Sequence, residues 1–349
     1  MQNRPLPRIM APNLIDHFYR GGDRIAALRG IDQTSEFQPE EWLAATTTRA
    51  GEREIGLART VDGELFRDVV GADPTSWIGP DHQRTAYAGD IGLLVKLLDA
   101  RQRLPVHVHP QRAFASSHLD CPYGKTESWF VLDAEPGSAF HLGWTEDVDP
   151  DELDRRRDAQ DSEWMLSRMN RIEARRGMGV FVPAGTVHAI DAGIFVAEVQ
   201  EPTDFSLLLE WSITTSTRDE SHLELGFETA MQSVSTSTLT DPDALVTYGG
   251  LDGEASGLRP LLPPAADRYF RLDRAGAGAE VGAGFAIVLA LSDSALRGAG
   301  TQNLQLQRGE VVAVPASFGP WAATADGTDL IIHRPGIGWP QTLGDADVV

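Results

Sequence analysis

The chain of 349 residues holds a single cysteine, Cys121, so no internal disulfide framework staples it and a reducing compartment is the expected setting. Cys121 lies in an Asp-Cys-Pro-Tyr loop and reads as a bystander thiol. No apolar run approaches the roughly 18 residues of a membrane span, and residues 1–10 show no apolar signal region, so a cytoplasmic protein is expected. Positive charge is scarce: 30 basic residues face 51 acidic ones, for a net charge of −21. Such a surface repels phosphate backbones and anionic lipid, which argues against nucleic acid or a membrane as partner. An anionic small molecule would need a local basic pocket.

What is present is a globular composition, 42% hydrophobic, in a chain long enough for two domains. The apolar and β-branched runs from Glu40 to Thr48, Gly89 to Ala100, Leu104 to His109 and Glu127 to Asp133 are short and divided by Gly, Pro and Asp, the pattern of a mainly β barrel or sandwich. One helix is expected to interrupt it over about 149–172, with Asp149 as N-cap, Pro150 at the first helical position and acid in the first turn. Its Arg155-Arg156-Arg157 run reads as a solvated face. The strands 193–200 and 205–211 complete a first domain over 1–235. Residues 236–263, rich in Ser, Thr, Asp, Gly and Pro, read as a linker, and 264–349 supply a second set of strands.

Four residues carry the chemistry. In a strand, residues two apart share a face, so His107 and His109 aim into one interior while Val108 points away. Glu127 begins the next strand. Gly177, Pro183, Gly185 and His188 stand in the spacing G-x5-P-x-G-x2-H of the second cupin motif, a strand, turn and strand that returns a histidine to the barrel mouth. Three imidazoles and one carboxylate suit one divalent ion: zinc first, with manganese and iron(II) as alternatives, and calcium and magnesium disfavoured. The segment Gly309 to Trp321 echoes Gly179 to His188 without the histidine, carrying Ser317, Phe318 and Pro320 instead. That internal repeat points to two double-stranded β-helix (cupin) barrels in tandem, the second degenerate and expected to hold no metal.

Together with Gly21-Gly22, Glu40-Glu41-Trp42, the run Leu94 to Ala100, His109-Pro110, Gly124 to Trp129, Leu132 to Gly137, Val180 to Ile190 and Ala197 to Gln200, these motifs resemble the type I mannose-6-phosphate isomerases, in the short bacterial form with two cupin barrels. The resemblance implies one zinc and the interconversion of an aldose 6-phosphate with its 2-ketose. It matches His109, Glu127 and His188 to metal ligands, and places His107 where the family has glutamine. Lys125 and Glu198 correspond to further active-site positions, and Lys96 to a lysine associated with the substrate phosphate.

Two positions depart from that family. Leu208 stands where the family has an arginine that reaches the active site, and Pro105 replaces a serine near the phosphate. A leucine cannot imitate the planar fork with which arginine holds phosphate. The expected ligand is therefore a sugar or sugar phosphate, with an unphosphorylated sugar open; Lys96 and a displaced Arg112 are the candidate substrate contacts. Isomerisation needs a base at the C–H and a group that shuttles the hydroxyl proton, for which Glu198 and Lys125 are the candidates. A ligand set of three His and one Glu also fits a cupin dioxygenase or decarboxylase, and a sugar-binding cupin without catalysis is a third reading.

Overall fold

The computed structural model describes residues 5–298 and 303–343, and within them four antiparallel sheets form two pairs. The first pair is a seven-stranded sheet built around Glu127–Ala134, Ile194–Gln200 and Leu94–Ala100, facing a five-stranded sheet that contains His107–Val108, His188–Ile190 and Ala139–Trp144. A six-stranded sheet around Phe270–Gly276, Asp329–Pro335, Ala286–Ala290 and Val311–Val314 pairs in the same way with a four-stranded one.

Alternation along the strands explains the layering. In Leu94–Ala100, Val95 and Leu97 pack outward with Phe130, Phe195 and Val199 against Phe270, Leu272, Ile287 and Ile331 of the six-stranded sheet. Leu98, Trp129, Val131 and Val196 point the other way, into the first sandwich. Val288, Val312, Leu330 and Ile332 fill the second sandwich. The central strands of these two sheets are therefore apolar on both faces along much of their length, and each fully buried aliphatic side chain contributes about 1.5–3 kcal/mol. The repeat read from sequence is visible locally, since Val311–Val314, the turn Ala316–Phe318 and Trp321–Ala323 follow the same strand, turn, strand path as Gly179–Val182 and His188–Ile190.

Several expectations are corrected. The single helix over 149–172 is two short ones, Pro150–Asp158 and Ser162–Ser167, broken where Gln160 takes a φ of 53° and Asp161 starts a new cap. Asp149 does cap the first, accepting from the Glu152 N–H. Leu153 and Met165 cover the outer face of the five-stranded sheet. Arg157 is not part of a solvated face: it is buried, lies 4.1 Å above the Phe227 ring and pairs with Asp154 and Asp158. The segment 236–263, read as a linker, holds two short strands: Val246–Thr247 extends the seven-stranded sheet and Leu258–Pro260 edges the six-stranded one. Near the other end of the chain, Arg8–Ile9 pairs with Val312 and Ala313 and so belongs to the second pair of sheets.

His333 sits on the face of Asp329–Pro335 that looks toward the first sandwich, opposite Leu272 and Ile287. It is fully buried, its Nδ1 lies 3.2 Å from the Ile287 carbonyl and its Nε2 is without a partner. Burial pushes its pKa down to about 4. Its folded pKa lies below the unfolded value of about 6.5, so the unfolded chain binds the extra proton and stability falls as pH drops from about 6.5 to 4. Replacing His333 with Phe is expected to flatten that fall by up to about 1.4 kcal/mol per pH unit, read from denaturant unfolding of both proteins across this range.

Candidate metal centre and its cleft

Inward-facing positions of the first sandwich turn polar at one end. Lys96 and Glu198 are register partners, and Glu198 is paired in turn with Trp129, which shares its face with Glu127 two residues earlier. On the opposing sheet His188 pairs directly with His107, and Leu208 flanks His107 on its other side. The turn that returns His188 needs Gly185 at a φ of 87°, where a Cβ would meet the Gln111 side chain.

The three imidazoles are oriented by backbone. The Nδ1–H of His107 donates to the Pro105 carbonyl, that of His109 to Phe205 and that of His188 to Thr186, each at 2.8 Å. This fixes the tautomer and leaves each Nε2 with its lone pair. The ligand nitrogens lie within 4.8 Å of one another. Glu127 joins them, 3.1 Å from His109 Nε2 and 3.4 Å from His188 Nε2. Burial lowers the pKa of all three histidines, His109 to about 3, so they are neutral donors. Burial alone would raise that of Glu127, but His109 and Lys125 outweigh it and hold the carboxyl well below its usual range. His188 Nε2 is buried without a hydrogen-bond partner, an arrangement that is costly unless something else satisfies it. Three neutral imidazoles and an ionised carboxylate around an orphaned nitrogen fit a divalent transition metal.

The other expected residues divide. Lys125 is at the centre, its Nζ 3.0 Å from His109 Nε2 and 3.5 Å from Glu127. Lys96 lines the same cleft but is held by carboxylates, 3.2 Å from Glu40, 3.7 Å from Asp204 and 3.8 Å from Glu198. These are the only two lysines of the chain, and both are buried here. Glu198 also lines the cleft, with Oε1 making no hydrogen bond; burial, then the charge of Glu127, raises its pKa to about 8 against the pull of Lys96. Leu208 and Pro105 both face the cleft. Arg112 does not line it: its guanidinium pairs with Glu201 at 2.6 Å and lies 4.9 Å over the Tyr269 ring, so its expected place at the substrate is corrected. Cys121 is outside the cleft, and burial pushes its thiol up, away from a reactive thiolate.

Sequence reasoning passed over His17, Tyr19, Glu40, Asp204 and Ser206, all of which line the cleft. Glu40 accepts from Tyr19 Oη at 2.5 Å and from Trp42 Nε1 at 2.8 Å, besides its ion pair with Lys96. Its signal was available, since Glu40 and Trp42 share a strand face while Glu41 turns away to Arg29.

No family model matches this chain. It is 30% identical over 187 residues to the mannose-6-phosphate isomerase of Streptococcus mutans, a match that covers 53% of this chain and 54% of that one. The chain thus spans about half the length of this curated relative, and about a third of two from Bacillus subtilis. Its fold is that of the mannose 6-phosphate isomerase from Bacillus subtilis, with a TM-score of 0.72 at 20% identity over 95% of this chain and 100% of that one. A mannose 6-phosphate isomerase bound with zinc and yttrium superposes with a TM-score of 0.70 at 15% identity, covering 95% of this chain and 100% of the other. The chain is similar to mannose-6-phosphate isomerases in part of its sequence and in its fold. Like those solved structures it has a mainly β, antiparallel cupin fold, and three of its histidines are grouped so that they could hold a metal ion.

Replacing His188 with Ala should weaken divalent-metal binding by more than the 10–100-fold typical of losing an outer partner, whereas Cys121→Ser should leave it unchanged. Equilibrium dialysis followed by elemental analysis checks both.

Proposed function

We propose that this chain is a metal-dependent aldose–ketose isomerase, interconverting mannose 6-phosphate and fructose 6-phosphate or a related sugar. The observation that carries the reading is a buried carboxyl, Glu198, whose Oε1 makes no hydrogen bond, in the same cleft as the His107, His109, His188 and Glu127 set. Zinc suits these ligands best; when bound it supplies Lewis acidity for the negative charge that develops on the sugar oxygens.

The side chains provide the proton chemistry. Glu198 takes the proton from C2 of the aldose and returns it at C1, a task for which a carboxyl with pKa near neutrality is tuned. Lys125, beside Glu127 and His109, is placed to move the hydroxyl proton between O1 and O2. Lys96 steadies the charge of Glu198 from 3.8 Å while Glu40 and Asp204 hold it in place. Arg112 has no part in this scheme. Neither oxygen chemistry nor decarboxylation is favoured, because the relatives bear the name of an isomerase.

The architecture supports a division of labour between two cupin barrels. The first, about 1–235 with its helical insertion, carries the site; 236–263 bridges, and 264–349 forms a degenerate barrel that backs the first and holds no metal. Residues 1–4, 299–302 and 344–349 of these spans lie outside the described residues.

The test follows a proton rather than a product alone. Zinc-loaded protein in heavy water should place deuterium at C1 of the ketose or C2 of the aldose. Glu198→Gln should cut that exchange by about 10²–10⁴-fold with the metal retained. Metal-loaded wild type that exchanges no sugar proton, free or phosphorylated, would refute the reading.

A further inference from the structure

We infer that the sugar taken into this cleft is uncharged at the end remote from the histidines, and the geometry points to His17 and Asp204 as the residues that recognise its hydroxyls. This deepens the isomerase reading and rests on it for the orientation of the sugar. The cleft has two parts that share His17, Phe18, Asp204, Ser206 and Leu208. The inner part, beside the histidines, is narrow at about 40 Å³, and the outer part is wider at about 430 Å³. Only the reacting end of a sugar fits within; the remainder lies in the outer chamber.

The charges of the outer part, where the remote end of the sugar lies, repel an anion. Four carboxyl groups line the inner part, and its two ammonium groups are already engaged, Lys96 by Glu40, Glu198 and Asp204, and Lys125 by Glu127. Among the described residues of the outer chamber Arg49 is the only Lys or Arg, set against Asp16, Asp204 and Glu220. Its guanidinium donates to the Asp16 carbonyl at 2.9 Å and pairs with Glu52 at 3.2 Å. Where the parts meet, Phe18 and Leu208 offer no donor to a phosphate, and Ser206 offers only an uncharged hydroxyl.

His17 matches a hydroxyl instead. Both ring nitrogens are buried and without a hydrogen-bond partner, Nε2 lying 3.5 Å from the Glu40 carboxylate, and the side chain, 10% exposed, borders both parts of the cleft. Burial lowers its pKa, so it is a neutral ring with one donor and one acceptor. A hydroxyl can satisfy Nδ1 as donor or as acceptor, whereas a phosphate dianion can only accept. Asp204, 11% exposed, adds a carboxylate that accepts from hydroxyls and disfavours phosphate.

Binding of sugar alcohols, which cannot isomerise, separates this inference from the catalytic reading. On the zinc-loaded full chain, calorimetry should show sorbitol binding at least about ten-fold more tightly than sorbitol 6-phosphate, the equivalent of one well-placed hydrogen bond. His17→Phe should weaken sorbitol by about ten-fold at unchanged metal content, His17→Gln, which keeps a donor and an acceptor, should restore most of it, and Leu208→Arg should shift preference toward the phosphate. Equal or tighter binding of sorbitol 6-phosphate to wild type overturns the inference, as does binding of neither alcohol or a His17→Phe protein that folds, keeps its metal and binds sorbitol normally. Proton exchange confined to phosphorylated sugars would overturn it and leave the isomerase standing; a sorbitol preference without exchange of any sugar would do the reverse.

Discussion

Ionised groups taken out of water must find partners, and the inner end of the first sandwich is organised around that constraint. Isolated, a buried ammonium or carboxylate would neutralise or unfold the site. Lys96 stays charged because Glu40, Glu198 and Asp204 surround it, and its own pKa rises although burial opposes this. Glu40 stays charged because Lys96, Tyr19 and Trp42 converge on it. Glu198 is the member left under-served. A carboxyl with an oxygen that makes no hydrogen bond, close to a second carboxylate at Glu127, is the part of the network free to change its proton state.

The surrounding fold supplies rigidity to this arrangement. Every imidazole in the metal set is tied through Nδ1 to a main-chain carbonyl, so its direction is inherited from strand and turn geometry rather than from another mobile side chain. Those strands are clamped from outside: the helices Pro150–Asp158 and Ser162–Ser167 cover one sheet, and the second pair of sheets covers the other. Threading Arg8–Ile9 into the distal sheet adds a covalent link between the sandwiches at a second point along the chain. The distal half thus acts on the cleft mechanically, by fixing the outer face of the sheet whose inner face bears Lys96, Glu127 and Glu198.

Periodicity made the strand-borne part of this structure legible. Alternation alone aligns His107 with His109, and the Pro183 and Gly185 turn returns His188 to them, so the metal group could be read from spacing. Residues on loops could not: His17 and Asp204 reach the cleft only because distant segments fold against it, and no repeat marks them. Helix length was misjudged where a local break won, at Gln160 and Asp161, and Arg157 was taken for a surface charge because composition does not show the Phe227 ring beneath it. Arg112 failed for a related reason. It is near the ligands in sequence, but the helix Arg112–His118 turns it toward Glu201 and Tyr269.

The use of lysine carries a further consequence. Arginine supplies every other cationic side chain of this acidic protein, and the two lysines both lie in the cleft, where a compact point charge fits between carboxylates better than a planar fork. Side-chain amine chemistry is thereby segregated from the outer surface. An amine-directed reagent that tags most proteins indiscriminately would find no exposed lysine here, and a small carbonyl compound that reaches the cleft would meet the only ε-amines the molecule owns. The fold thus makes a general labelling reaction into a reporter of access to one chamber.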